Sequence, residues 1–154
     1  MSKKKIYYKV VQFGNAFYGL NSNKLYSANY SFIINKWNTK MACEYSIDDW
    51  TFPHYKNTDL MVFDSLENAK KFISSFVRHP GQPFVKVYTC EIINPRQNGL
   101  FINVADFMID RSYDRFIKLI KNRVNKKKFS HLTDKPPVGT VFCSGVKLLE
   151  EIKN

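Results

Sequence analysis

Short runs of β-branched and aromatic residues, broken by turn signals, dominate the hydrophobic pattern of this chain. Residues 5–13, KIYYKVVQF, end at Gly14 and Asn15 and predict an opening strand. AFYGL at 16–20 predicts a short return strand, and KLYSANYSFIIN at 24–35 is again extended. In residues 40–47 Met41, Cys43 and Tyr45 fall on one side of a two-residue period, which marks a half-buried strand. DDWTFPHYKN, residues 48–57, reads as a loop with Trp50 and Phe52 folded back onto the core.

A change of period follows. LMVF at 60–63 is a short apolar strand that runs into Asp64, a residue able to cap a helix, and Glu67 stands three positions later in a layout like a capping box. Leu66, Ala69, Phe72, Ile73 and Phe76 then recur at helical spacing and form one apolar face, which ends at His79-Pro80-Gly81. FVKVYTCEII at 84–93 is apolar in both of its alternating sets, as suits a central strand, and Asn94-Pro95 ends it. GLFINV at 99–104 predicts a short strand, and a second helical region spans about 105–125. GTVFCSGVKLLEEI at 139–152 predicts one or two closing strands with Gly145 as a bulge or turn.

No repeat or linker divides the chain, so residues 1–154 are expected to form a single α+β domain. The expected architecture is a mostly antiparallel sheet with two or three helices packed on it. The apolar fraction of 44% is enough to build a core and argues against wholesale disorder.

Charge changes the picture. Lys and Arg number 24 against 13 acidic residues, a net charge of +11 that attracts nucleic acid, nucleotides or acidic proteins. Most of these cations are Lys, although Arg is better suited to forked phosphate recognition. They concentrate in RFIKLIKNRVNKKKF at 115–129. There Tyr113, Phe116, Ile117, Ile120 and Val124 share one helical face, with Arg115, Lys118 and Lys126 opposite and Lys121 and Arg123 on the flanks. Lys126, Lys127 and Lys128 extend the charge past the helix end, where the helix dipole favours cations. These seven basic residues are the expected anion-binding face.

Catalytic and metal signals are sparse. Neither a glycine-rich dinucleotide fingerprint nor a phosphate loop is present, and PPVGT reads as a rigid turn because proline offers no N–H to an anion. His54, His79 and His131 stand in separate loops, and Cys43, Cys90 and Cys143 have no paired spacing. No metal or cofactor is therefore expected, and the three thiols read as buried and free. Glu91 lies inside an apolar strand, where a carboxylate must be salt-bridged, at a sheet edge or facing a cleft. The opening MSKKKIYYKV carries no apolar stretch of signal-peptide length and nothing approaches a membrane span, which reads as a soluble, cytoplasmic protein.

The layout YYKVV…LYSA…CEYSIDDW…LMVFDSLENAKKFI…VKVYTCEI…GTVFCSGVKLL resembles small α+β domains encoded by phages, viruses and bacteria. That resemblance implies a fold and a viral or phage accessory role in the host cell, with no agreed activity attached. A fainter likeness is to ADP-ribosyltransferase-type folds, which implies that Tyr8, Tyr45 and Glu91 surround a nicotinamide pocket. KIYYKVV departs from that pattern, because it offers only lysines where Arg or His is expected.

The expected function is a non-enzymatic intracellular binding protein that engages nucleic acid, a nucleotide-type ligand or an acidic protein surface through its basic helix. Two other readings are an ADP-ribosyltransferase-like enzyme using Glu91, and a protein–protein inhibitor that presents Trp37, Trp50, Phe52 and Tyr55 as an aromatic loop patch.

Overall fold

In the computed structural model, which describes residues 3–14, 22–27, 43–53, 59–76, 85–99 and 135–153, the apolar runs pair into one sheet of eight strands. The strands are β1 (Tyr7–Phe13), β2 (Leu25–Ser27), β3 (Glu44–Tyr45), β4 (Trp50–Thr51), β5 (Leu60–Phe63), β6 (Val85–Ile93), β7 (Thr140–Cys143) and β8 (Gly145–Glu151). A single helix, α1 (Leu66–Phe76), lies between β5 and β6.

The strand path runs β3-β2-β1-β6-β8-β4, and every ladder in it is antiparallel. Its two ends meet, because the Thr51 hydroxyl of β4 donates to the Glu44 carbonyl of β3 at 3.3 Å. The sheet therefore curls toward a closed ring, which shields edges that would otherwise invite pairing with another chain. It also forks at β1. One edge of β1 carries β6, while β2 pairs with its second half and β5 touches it through Tyr8 and Phe63. β5 pairs in turn with β7, which turns at Ser144 into β8.

Side chains alternate across β1 and so divide the interior in two. Tyr7 and Val11 point into the larger core with Leu25, Cys43, Tyr45, Val62, Cys90, Cys143, Val146 and Leu148. Val10 points to the other side, where Phe63, Ala69, Phe72 and Val87 form a second core beneath α1. The Phe63 and Phe72 rings meet there at 5.1 Å between centroids, joining strand to helix.

Leu66, Ala69, Phe72 and Ile73 of the helix match the predicted apolar stripe, but Ser65 rather than Asp64 caps it. The Asn68 N–H donates to Ser65 Oγ at 3.2 Å, and the Asp64 carboxylate instead accepts from the Asn68 side chain at 2.8 Å. Asp64 faces Gly139, whose φ of 79° is open to glycine and whose carbonyl accepts the Asp64 N–H at 3.0 Å. Ser65→Ala is expected to lower stability by about 1 kcal/mol in urea unfolding, and an unchanged midpoint would deny the cap its role.

Two expectations require correction. A fold with two or three helices is not what forms, since α1 is the one helix among the described residues and strands dominate. The physical reason is that, among the described residues, the larger core is closed by strand side chains, from β2 and β3 on one flank and from β5 and β7 on the other. The predicted helix at 105–125 and the predicted strands at 16–20 and 99–104 fall outside the described residues, apart from Gly99. The second correction concerns the stretch read as a loop with both aromatic residues turned inward. Trp50 and Thr51 pair with Lys147 and Val146 of β8, Thr51 takes the buried position, and Phe52 points outward at 56% exposure. Among the described residues no helix is long and apolar enough to cross a membrane.

Candidate functional site

β6 sits between β1 and β8, so Glu91 is not at a sheet edge. It is salt-bridged instead: Lys4 Nζ lies 2.8 Å from its carboxylate, and Lys147 is its cross-strand partner on β8. The hydrogen bond from Lys4 holds the Glu91 carboxyl below its ordinary pKa, with the charges of Lys4 and Lys147 adding to the effect. Tyr8 shares the sheet face of Glu91, because its partner Thr89 lies two residues before Glu91 on β6. Tyr45 is on the opposite face, sealed in the larger core with Cys90. The sheet thus separates Tyr45 from the other two, and the three residues do not line one pocket.

Arg115, Lys118, Lys121, Arg123, Lys126, Lys127 and Lys128 all lie outside the described residues, as do Trp37 and Tyr55. Of the other two aromatic residues, Trp50 lies in β4 and Phe52 directly follows that strand. Phe52 and Ile93 both lean over Gly145, where a Cβ would stand 3.1 Å from each. Exposed by 56% and 38%, they form a small apolar patch on the outer face of β4, β8 and β6.

Sequence reasoning passed over Lys9. It follows Tyr7 and precedes Val11 on the inward face of β1, so its stem enters the larger core and only 5% of the residue is exposed. Its ammonium donates to Ser27 Oγ and to the Met61 carbonyl, each at 2.8 Å, and stands 5.1 Å from the Tyr45 ring centroid. Those contacts tie β1 to β2, β3 and β5. Burial lowers the Lys9 pKa to about 8, partly offset by the nearby thiols of Cys143, Cys90 and Cys43. None of the three cysteines forms a disulfide and all are buried; burial raises Cys90 to about 12 and Cys143 to about 11, which keeps these two as protonated thiols at neutral pH. No group of three or more His, Cys, Asp or Glu among the described residues is placed to hold a metal ion.

The recess with the chemistry of a binding site lies on the other side of the sheet. A groove of about 420 Å³ opens between α1 and the ends of β6 and β8. Leu66, Lys70 and Ile73 line it from α1, where their spacing places them on one helical stripe. Val85 and Val87 form the strand wall, and Ile152 is fixed beside them by its N–H, which donates to the Val87 carbonyl at 2.8 Å. Two charges at this groove are already committed: Lys86 Nζ lies 3.0 Å from the Glu151 carboxylate and 5.3 Å from the Phe13 ring centroid. Lys70 and Lys153 have no acidic partner among the described residues, so the groove combines an aliphatic wall with two uncompensated cations.

No protein-family model, curated protein or solved structure matches this chain. The site therefore rests on its own geometry. Part of it was visible in sequence: Leu66 and Ile73 already belonged to the predicted helix face, and Lys70 falls between them at helical spacing. What the pattern could not show is that Ile152 and Lys153, from the far end of the chain, complete the groove.

Proposed function

We propose that the protein is a non-enzymatic binding protein whose partner is anionic. The observation that carries this reading is a net charge of +11 that local ion pairing does not absorb, as at Lys70 and Lys153 beside an open groove. The five salt bridges among the described residues occupy Lys4, Lys24, Lys71, Lys86 and Arg96, while the basic run at 115–128 adds further cations that a polyanion can engage.

Titration with an oligonucleotide and with polyglutamate at rising salt tests the proposal. Binding is expected at low salt and is expected to weaken steeply as salt rises, since released counterions drive it. Reversing Lys126, Lys127 and Lys128 to Glu is expected to weaken binding by about tenfold or more at low salt. Absence of binding to both polyanions at the lowest salt would sink the reading.

The apolar patch of Phe52 and Ile93 favours a second reading, a protein partner held by apolar contact. Complexes of that kind survive high salt, and Phe52→Ala weakens them.

A further inference from the structure

We infer that the groove between α1 and the ends of β6 and β8 binds a single-chain aliphatic carboxylate of medium length. The inference rests on the anionic-partner reading and names a small-molecule ligand for it. Its volume of about 420 Å³ falls in the range of small-molecule sites. Five aliphatic side chains form its wall: Leu66, Ile73, Val85, Val87 and Ile152.

None of the described lining residues is aromatic, so they offer a nucleobase no ring to stack on. A flexible hydrocarbon chain has no such need and gains from every methylene it removes from water. The charges fit as well. Glu151 is the one acidic residue among the described lining, and Lys86 neutralises it at 3.0 Å. Lys86 is the cross-strand partner of Val11, a residue of the larger core, so its ammonium is turned toward the opposite face of the sheet. Lys70 on the helix and Lys153 after β8 remain as two cations at the groove, one from each of the elements that form it, and these are the groups that would meet a carboxylate. A cationic head would meet only repulsion there.

Calorimetric titration of the full chain with octanoate, decanoate and dodecanoate, below their micelle concentrations, tests this directly. One-to-one binding is expected, tightening by about two- to fourfold per added methylene. Dodecylammonium is expected to bind at least about tenfold more weakly than dodecanoate, and K70E/K153E to reverse that preference. Both lysines are exposed, so the double variant is expected to fold, which circular dichroism checks. The inference is overturned if dodecanoate does not bind, if dodecylammonium binds equally well, or if K70E/K153E leaves the affinity unchanged. AMP bound in place of dodecanoate would also overturn it, while leaving the anionic-partner reading intact. Loss of oligonucleotide and polyglutamate binding alongside a dodecanoate failure would remove both.

Discussion

Phe142→Ala is expected to lower the unfolding free energy by about 3–5 kcal/mol, the usual cost of truncating a fully buried phenylalanine that cannot be replaced by collapse. Phe142 is 0% exposed and lies on the face of β7 away from the larger core, where Val141 and Cys143 point. The segment after β6 lies across it. Arg96 and Phe142 exchange backbone hydrogen bonds of 2.7 and 2.8 Å, and the Arg96 guanidinium pairs with Asp59 just before β5. Gly99 then rests against the ring, so closely that a Cβ there would stand 2.3 Å from Phe142 Cγ. With the segment held at both points, the space left by the ring stays open, which places the cost toward the upper end of that range.

The same contact makes a second variant informative. Gly99→Ala pushes a methyl group into the ring and is expected to cost about 1–3 kcal/mol by overpacking. In Gly99→Ala/Phe142→Ala the methyl group meets a cavity instead, so the double variant is expected to be no less stable than Phe142→Ala alone. Urea unfolding of the four proteins closes the cycle. Additive losses would show that Gly99 acts through its own backbone and not through Phe142.

The helix and the central strands were legible because their side chains face one well-defined environment. Leu66, Ala69, Phe72 and Ile73 needed only the period of α1, and the mixed apolar character of β6 followed from neighbours on both edges and packing on both faces. β4 was not legible. Two residues long, it exists because β8 pairs with it, and its partner Val146 lies almost a hundred positions away. Local pattern holds no record of such pairing. Phe52 misled for the same reason, since hydrophobicity suggests burial while the register with β8 turns it outward. The groove is a mixed case. Its helical wall was readable, but Ile152 and Lys153 join it only through the antiparallel pairing of β6 with β8. Lys9 could have been found by strict alternation, as a lysine between Tyr7 and Val11 on an inward face, had the charge not been assumed to point to water.

That buried lysine should give the protein an unusual stability profile in alkaline solution. In the fold Lys9 gives up its proton near pH 8, whereas in the unfolded chain it keeps it to its ordinary value of 10.5. Below pH 8 both states carry the proton, and the cost of burying the charge, on the order of 3 kcal/mol, is fully present. Above pH 8 the unfolded chain binds the extra proton, so stability rises with pH. Cys90 and Cys143 act in the opposite direction, because the fold keeps their protons to about 12 and about 11 while the unfolded thiols ionise near 9. From pH 9 upward two thiols oppose one lysine, and stability falls. The groups that face Lys9 from the packed strands are Cys43, Tyr45, Cys90 and Cys143, with Ser27 and the Met61 carbonyl as its hydrogen-bond acceptors. Stability is therefore expected to be level below pH 8, to rise by roughly 1 kcal/mol toward pH 9, and to decline beyond it. Lys9→Met keeps the stem and removes the charge, so it is expected to abolish the rise and keep the decline, whatever the loss of its two hydrogen bonds does to the absolute level. Cys90→Ala is expected to do the reverse, keeping the rise and reducing the slope of the decline. Denaturant unfolding at half-unit pH steps distinguishes them. A rise between pH 8 and 9 that persists in Lys9→Met would mean that another group bears the buried charge.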